Sequence, residues 1–155
     1  MYYSDMNSSV TEADRIAGEG HRESVVISLI EVARSVEDQI EHSLSEHGLS
    51  WAKLGVLSRL VEAGEPLTLG EIAAKLQCVR SNVTQLIDRL ESDGLVRRVD
   101  DPSDRRSIRA ELTEKGRERH HVGAEAMNEV QARLLSNLGG AAEQVALGHL
   151  LQKLG

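Results

Sequence analysis

The side chains with the most to offer a partner lie between residues 80 and 109 of this 155-residue chain. Arg80, Ser81, Asn82, Thr84, Gln85 and Arg89 are interleaved with Val83, Leu86, Ile87 and Leu90, apolar residues that recur at helical spacing. The spacing predicts a helix over Arg80–Ser92 with one buried face. Its opposite face carries Ser81, Gln85, Asp88 and Ser92, flanked by Asn82, Thr84 and Arg89. Hydroxyls, amides and guanidinium groups are what hydrogen-bond base edges and phosphates, and the major groove of duplex DNA is wide enough to admit a helix. Asp88 has the wrong sign for such a face and is expected to pair with a neighbouring arginine. Further on, Arg105-Arg106 tips the polar, proline-containing stretch Asp100–Arg106, placed to reach an adjacent backbone or minor groove.

These groups need elements to hold them. Before them, Thr68-Leu-Gly-Glu71 has capping-box spacing and opens a short helix over Leu69–Leu76 striped by Ile72, Ala73 and Leu76. After them, Leu95–Val99 and Ser107–Leu112 are short and branched, the second alternating apolar with polar, and they predict a β-hairpin closed by the polar turn. Val26, Leu29, Ala33, Val36, Ile40 and Leu44 predict an earlier helix from Ser24 to about His47. Ser50 caps another helix bearing Leu54, Leu57, Leu60 and Val61, which Gly64 and Pro66 end. Thr113 opens a long helix through Val122, Ala126, Val130, Leu134 and Leu138, Gly139-Gly140 breaks it, and a last helix carries Val145, Leu147, Leu150, Leu151 and Leu154.

The expected class is therefore mainly α with a small β-hairpin wing (α+β). A winged helix-turn-helix unit is expected over residues 50–112, a helical dimerisation domain over 23–49 and 113–155, and a mobile polar tail over 1–22. The outer helices show apolar faces (Val26, Leu29, Ile40 and Leu44; Val145, Leu150, Leu151 and Leu154) too large for a small winged unit to cover, so a second subunit is the natural cover.

Composition narrows the classes further. The chain has no Phe and only three aromatics, Trp51, Tyr2 and Tyr3, which disfavours single-stranded nucleic acid because its readers stack bases on aromatic rings. The net charge of −7 opposes a DNA partner only if it is spread evenly. Residues 66–112 hold eight basic and eight acidic side chains, so the acid excess lies elsewhere. Phosphate attraction is local, screened over about 8–10 Å. One cysteine, no signal-peptide pattern and no apolar run long enough to span a bilayer fit a cytoplasmic protein. No phosphate loop, nucleophile elbow or metal-hydrolase motif is present, so no enzyme and no cofactor are expected.

Leu69-Gly-Glu-Ile-Ala-Ala-Lys-Leu76, Arg80-Ser-Asn-Val-Thr-Gln-Leu-Ile-Asp-Arg-Leu-Glu-Ser-Asp-Gly-Leu-Val-Arg97, Asp101-Pro-Ser-Asp-Arg-Arg106 and Leu112-Thr-Glu-Lys-Gly116 resemble the MarR family of transcriptional regulators. The resemblance implies a homodimer on a pseudo-palindromic operator in double-stranded DNA, with repression as the expected sign. It puts Ser81, Asn82, Thr84 and Gln85 in the major groove and makes Arg106 the wing arginine, with Asp104 as its internal partner. It also implies a small effector, often an anionic aromatic, bound between the dimer helices and the winged unit. Val79 departs from the pattern: relatives tend to open the recognition helix with a small hydroxyl residue, and valine cannot cap it.

Three other readings compete with this one. A winged-helix protein-interaction module is compatible with the acidic charge, but Arg105, Arg106 and the polar helix face argue against it. Cys78 invites a redox role but reads better as an inert apolar residue in a turn. His42, His47, His120 and His121 suggest metal, yet neighbours such as His120 and His121 diverge by about 100° on a helix, and solvated histidines are the simpler account.

Overall fold

The structure is a computed structural model that describes residues 12–77, 79–104 and 106–154, with side chains from residue 24 onward. In chain order the elements are α1 (Glu12–Ser45), α2 (Trp51–Ala63), β1 (Leu67–Thr68), α3 (Leu69–Leu76), α4 (Arg80–Ser92), β2 (Val96–Asp100), β3 (Ile108–Leu112), α5 (Glu114–Ser136) and α6 (Ala141–Gln152). The chain divides into two units, one ending at Asp38 and the other running from Gln39.

The first unit contributes helix only, and α1 begins at Glu12, not at Ser24. Residues 12–22, read from sequence as tail, are thus helical. Their Ala, Glu and Arg favour helix, a signal that the lack of apolar periodicity hides. Val25, Val26, Ile27, Leu29, Ile30 and Val32 are all exposed in this unit.

In the second unit, Ile40 and Leu44 are buried, which corrects their placement on an open apolar face. Leu44 and Leu49 pack where α5 comes close, at Gly123: a Cβ there would meet Leu49 Cδ1 at 2.6 Å and Leu54 Cδ1 at 2.9 Å. The division of the chain accordingly falls after Asp38 and leaves residues 39–49 with the winged elements.

Local chemistry sets the element ends. Ser50 Oγ accepts from Lys53 N at the start of α2, and Gly64, in the left-handed region at φ 66°, closes it. Thr68 and Glu71 form a reciprocal capping box on α3. Val79 opens α4 with no side-chain cap, as the sequence indicates. Thr113 Oγ1 accepts from Gly116 N at the start of α5 and also donates to the turn that enters β2, at Gly94 O (2.8 Å) and Leu95 O (3.1 Å).

Beyond the expected hairpin, the sheet has a third strand. All pairing is antiparallel in the order β1-β3-β2, with Leu67 opposite Ala110 and Thr68 opposite Arg109 on one edge, and Val96 opposite Leu112 through Asp100 opposite Ile108 on the other. Two residues are too short to show alternation, so β1 exists because β3 offers it a free edge. Val56, Leu57, Leu60, Ile72, Val83, Ile87, Leu90, Leu95, Val96 and Ala110 form one core beneath the helices and the sheet. At about 25 cal/mol per Å2 of apolar surface removed from water, this core is the main force orienting α4. Among the described residues, no helix is long and apolar enough to cross a membrane.

Candidate nucleic-acid interface

Helix α4 is held by Val83, Ile87 and Leu90, each fully buried. Leu86, expected on the same face, is only half-buried and lines a cleft. With three anchors inward, Arg80, Ser81, Asn82, Gln85, Asp88, Arg89 and Ser92 face outward and are exposed or half-buried. Thr84 is half-buried, and its hydroxyl donates to Arg80 O at 3.2 Å. That donor is therefore already used inside the helix, leaving Thr84 its lone pairs and methyl group for any partner.

The wing is organised by two carboxylates. Asp101 Oδ1 accepts from Ser103 N (2.8 Å) and Ser103 Oγ (2.6 Å), and Asp101 N donates to Ser107 O (3.1 Å), closing the hairpin. Asp104 Oδ1 accepts from the backbone N–H of Arg106 at 2.9 Å, and Asp104 O accepts from Ser107 N at 2.9 Å. Asp104 thus partners Arg106 through its backbone amide. A short acidic side chain bonding two residues on is an Asx turn, which leaves the guanidinium free to face outward. Arg105 and Cys78, singled out from the sequence, lie outside the described residues.

The geometry sorts the charges of this balanced segment into paired and unpaired groups. Arg98, on β2, binds both Asp88 and Glu91 of α4, the arginine partner expected for Asp88. Arg97 pairs with Glu111, Lys53 with Asp93 at 2.7 Å, and Arg109 with Asp101 at 2.7 Å. Ser103 and Arg109 hold the Asp101 carboxyl at about 2, well below its usual value. Hydrogen bonds from Thr68, with Arg109 adding to them, lower Glu71. Most of these acids are thereby engaged by internal partners, whereas Lys75, Arg80, Arg89 and Arg106 form no ion pair with another described residue. Asp100 and Asp104 likewise form no ion pair among the described residues, so the segment stays neutral in sum, with its unpaired cations on α3, α4 and the wing.

Two clefts flank α4. One, of about 420 Å3, lies between the start of α4 and the wing, lined by Leu69, Arg80, Asp104, Arg106, Ser107 and Ile108. The other, of about 500 Å3, runs between α2 and α4 and includes Trp51, Arg59, Gln85, Leu86 and Arg89. Arg59 Nη1 pairs with Glu62 at 2.6 Å, but its buried Nε has no hydrogen-bond partner among the described residues. No group of three His, Cys, Asp or Glu among the described residues could hold a metal ion. Sequence reasoning missed Asp101, Arg98 and Arg109 as organisers of the site. Asp88 on α4 is the one clue the sequence offers, and it calls for a neighbouring arginine without saying which.

An exposed polar helix face beside an arginine-bearing hairpin is chemically suited to a polyanion with hydrogen-bonding edges. Comparison with known proteins agrees with that geometry. The MarR family sequence model matches residues 49–108. YkoM of Bacillus subtilis (strain 168), an uncharacterized HTH-type transcriptional regulator, is 42% identical over 89 residues, which are 56% of this chain and 57% of YkoM. The chain thus spans little more than half of that relative's length. MdtR of the same organism, an HTH-type transcriptional repressor, is 30% identical over 130 residues, covering 84% of this chain and 83% of MdtR. Among solved structures, Sco3205 of Streptomyces coelicolor, a MarR family transcriptional regulator crystallised in complex with DNA, superposes with a TM-score of 0.74 at 29% identity, over 85% of this chain and 87% of that one. With the winged fold in place and a relative matched along most of both chains, this chain belongs to the MarR family.

Proposed function

We propose that the chain is a cytoplasmic transcriptional repressor that binds a pseudo-palindromic site in duplex DNA as a homodimer. The observation that carries this reading is the placement of charge: Asp88, Glu91 and Asp101 of the winged segment are internally paired, while Arg80, Arg89 and Arg106 form no ion pair with another described residue and flank an exposed polar helix face. Ser81, Asn82 and Gln85 read base edges, Thr84 contributes its methyl and lone pairs, and Arg80, Arg89, Arg105 and Arg106 contact the backbone. Asp104 presents Arg106 by fixing its amide. The DNA complex of Sco3205 and the repressor name of MdtR support the assignment.

A second copy of the chain covers the open apolar surfaces. Helix α6 has no buried residue, with Val145, Leu150, Leu151 and Leu154 exposed, and α1 exposes its own run from Val25 to Val32. A monomer rarely leaves so much apolar surface in water. The resulting two-fold axis sets the α4 helices about 34–36 Å apart, in successive major grooves.

The α2–α4 cleft supports the reading of a small anionic aromatic effector. It offers Trp51 for stacking, Arg59 and Arg89 for the anion, and Gln85 and Asn82 as rim residues shared with the DNA face. A ligand there takes groups away from DNA, which is a direct route to release.

The test is affinity against salt for a labelled duplex. Arg106→Ala is expected to weaken binding to all sequences alike and to flatten the salt slope by about 0.9 for each phosphate no longer neutralised. Gln85→Ala is expected to change base preference and leave the slope alone. Unchanged affinity in Arg106→Ala would remove the wing from the interface, and salt-independent binding would remove DNA.

A further inference from the structure

Arg109 joins the wing to the stretch from Pro66 to Glu71, some forty residues earlier in the chain. It sits on the middle strand, opposite Thr68 on one side and Val99 on the other. Nε donates to Asp101 Oδ2 at 2.7 Å and Nη1 donates to Pro66 O at 3.0 Å, while Nη1 also lies 3.8 Å from Glu71 Oε2. Asp101 is the root of the wing turn, Pro66 leads into β1, and Glu71 is half of the capping box on α3. One planar guanidinium with several donors can satisfy partners in different directions at once, which a lysine ammonium on a flexible stem does poorly.

Asp101 has little alternative. It is 5% exposed, the one buried charged residue among those described, and a buried carboxylate stripped of its cation is strongly destabilising. Its Oδ1 is occupied by Ser103, and Oδ2 is the oxygen given to Arg109. Asp101 N then closes the turn onto Ser107 O, the residue beside Arg106. A chain of interactions therefore runs from the start of the helix-turn-helix, through Arg109 and Asp101, to Ser107, the neighbour of Arg106. Because the Asp101 carboxyl sits at about 2, it is ionised at any pH near neutrality.

We infer that Arg109 is a positioning residue for DNA binding: held back from the duplex, it locks the wing to the helix-turn-helix so that Arg106 and α4 engage one duplex together. The inference rests on the DNA-binding reading above. It separates the two arginines by role, Arg106 touching phosphate or groove and Arg109 aiming it.

The test is a double-mutant cycle with the full chain and a fluorescein-labelled duplex recovered by selection from a randomised pool. The readout is the slope of log affinity against log salt. Arg106→Ala is expected to lower the slope by about 1.8 for a dimer in which each subunit neutralises one phosphate fewer. Arg109→Gln is expected to lower it by the same amount, though Arg109 itself does not touch DNA, and Arg106→Ala in that background is expected to change it no further. Discrimination between bases facing α4 is expected to persist in Arg109→Gln, whereas a general loosening of the fold would erode it. If Arg109→Gln does not fold, Asp101→Asn breaks the same chain from its other end without emptying the site, and is expected to show the same non-additivity. A wild-type slope in either variant, or full additivity with Arg106→Ala, overturns the inference alone. A wild-type chain that binds no duplex overturns it together with the DNA-binding reading.

Discussion

Gly116, the last residue of the Leu-Thr-Glu-Lys-Gly stretch, is where α5 presses most closely on the start of the wing. A Cβ built there would lie 2.0 Å from Leu95 O, 2.9 Å from Leu112 Cδ1 and 3.0 Å from Leu95 C. The first of these is a backbone atom and cannot rotate away, so Gly116→Ala must push α5 and the 94–95 turn apart by about 1 Å or more, given that carbon–oxygen contacts settle above about 3 Å. That shift strains three hydrogen bonds that meet at this point: Thr113 N to Leu95 O (3.1 Å), Thr113 Oγ1 to Leu95 O (3.1 Å) and Gly116 N to Thr113 Oγ1 (3.0 Å). At about 1 kcal/mol each, their rupture costs about 3 kcal/mol. Displacement of Leu112 adds about 1 kcal/mol of misfit, and alanine returns about 1 kcal/mol of helix propensity. The net expectation is a destabilisation of about 3 kcal/mol, read as a drop in Tm of about 6–12 °C by differential scanning calorimetry. Gly70→Ala is the control, since its Cβ would meet nothing nearer than Thr68 Oγ1 at 3.9 Å, and it is expected to be neutral or stabilising. If Gly116→Ala melts at or above the wild-type temperature, the close approach does not exist and the explanation of the motif fails.

Three further outcomes follow from the same structure. Val79→Ser supplies the cap that α4 lacks and is expected to stabilise the protein by about 1 kcal/mol; a lower Tm than wild type would refute the reading of Val79 as an exposed residue that leaves the helix uncapped. Burial, with His121 adding and Glu62 opposing, pushes the pKa of His120 below its usual 6.5 where its Nε2 meets Ser58 Oγ at 3.1 Å. The unfolded chain therefore takes up that proton first, so the contribution of the neutral ring is full above pH 6.5 and is lost as pH falls through 6.5 toward the lower folded value. His120→Gln is expected to flatten the fall in Tm between about pH 8 and about pH 5.5, and an unaltered pH profile would exclude His120 as its source. Arg89→Ala is expected to weaken an anionic aromatic ligand more than it weakens DNA if the α2–α4 cleft is the effector site; equal affinity for the ligand in both proteins places the effector elsewhere.

Much of this arrangement is legible in the sequence because single-residue chemistry decides it. Thr68 and Glu71, Gly64, Thr113 and the apolar stripe of α4 each act within a few residues of themselves, so spacing alone places α2, α3, α4 and the hairpin. What escapes the sequence depends on pairings made only after folding. β1 has two residues and owes its existence to the edge of β3. Asp101 and Arg109 meet because the hairpin register brings them together, and nothing in their spacing sets that arginine apart from Arg106 or Arg105. Ile40 and Leu44 share the periodicity of Val26 and Leu29, yet they are buried and the earlier pair is exposed; Leu44 lies where α5 comes close at Gly123. Charge shows the contrast most plainly. Counting gives a neutral segment, and only the geometry reveals that Asp88, Glu91, Asp93, Asp101 and Glu111 are spent on Arg97, Arg98, Arg109 and Lys53.

Selection of bound duplexes from a fully randomised pool with the purified full chain tests the central claim most directly. The expected result is enrichment of a two-fold-related sequence whose half-sites lie about 10 base pairs apart, with base preference at the half-sites relaxed by Gln85→Ala. A pool that stays random after repeated rounds, or that enriches single-stranded species or an unpaired half-site, would contradict it.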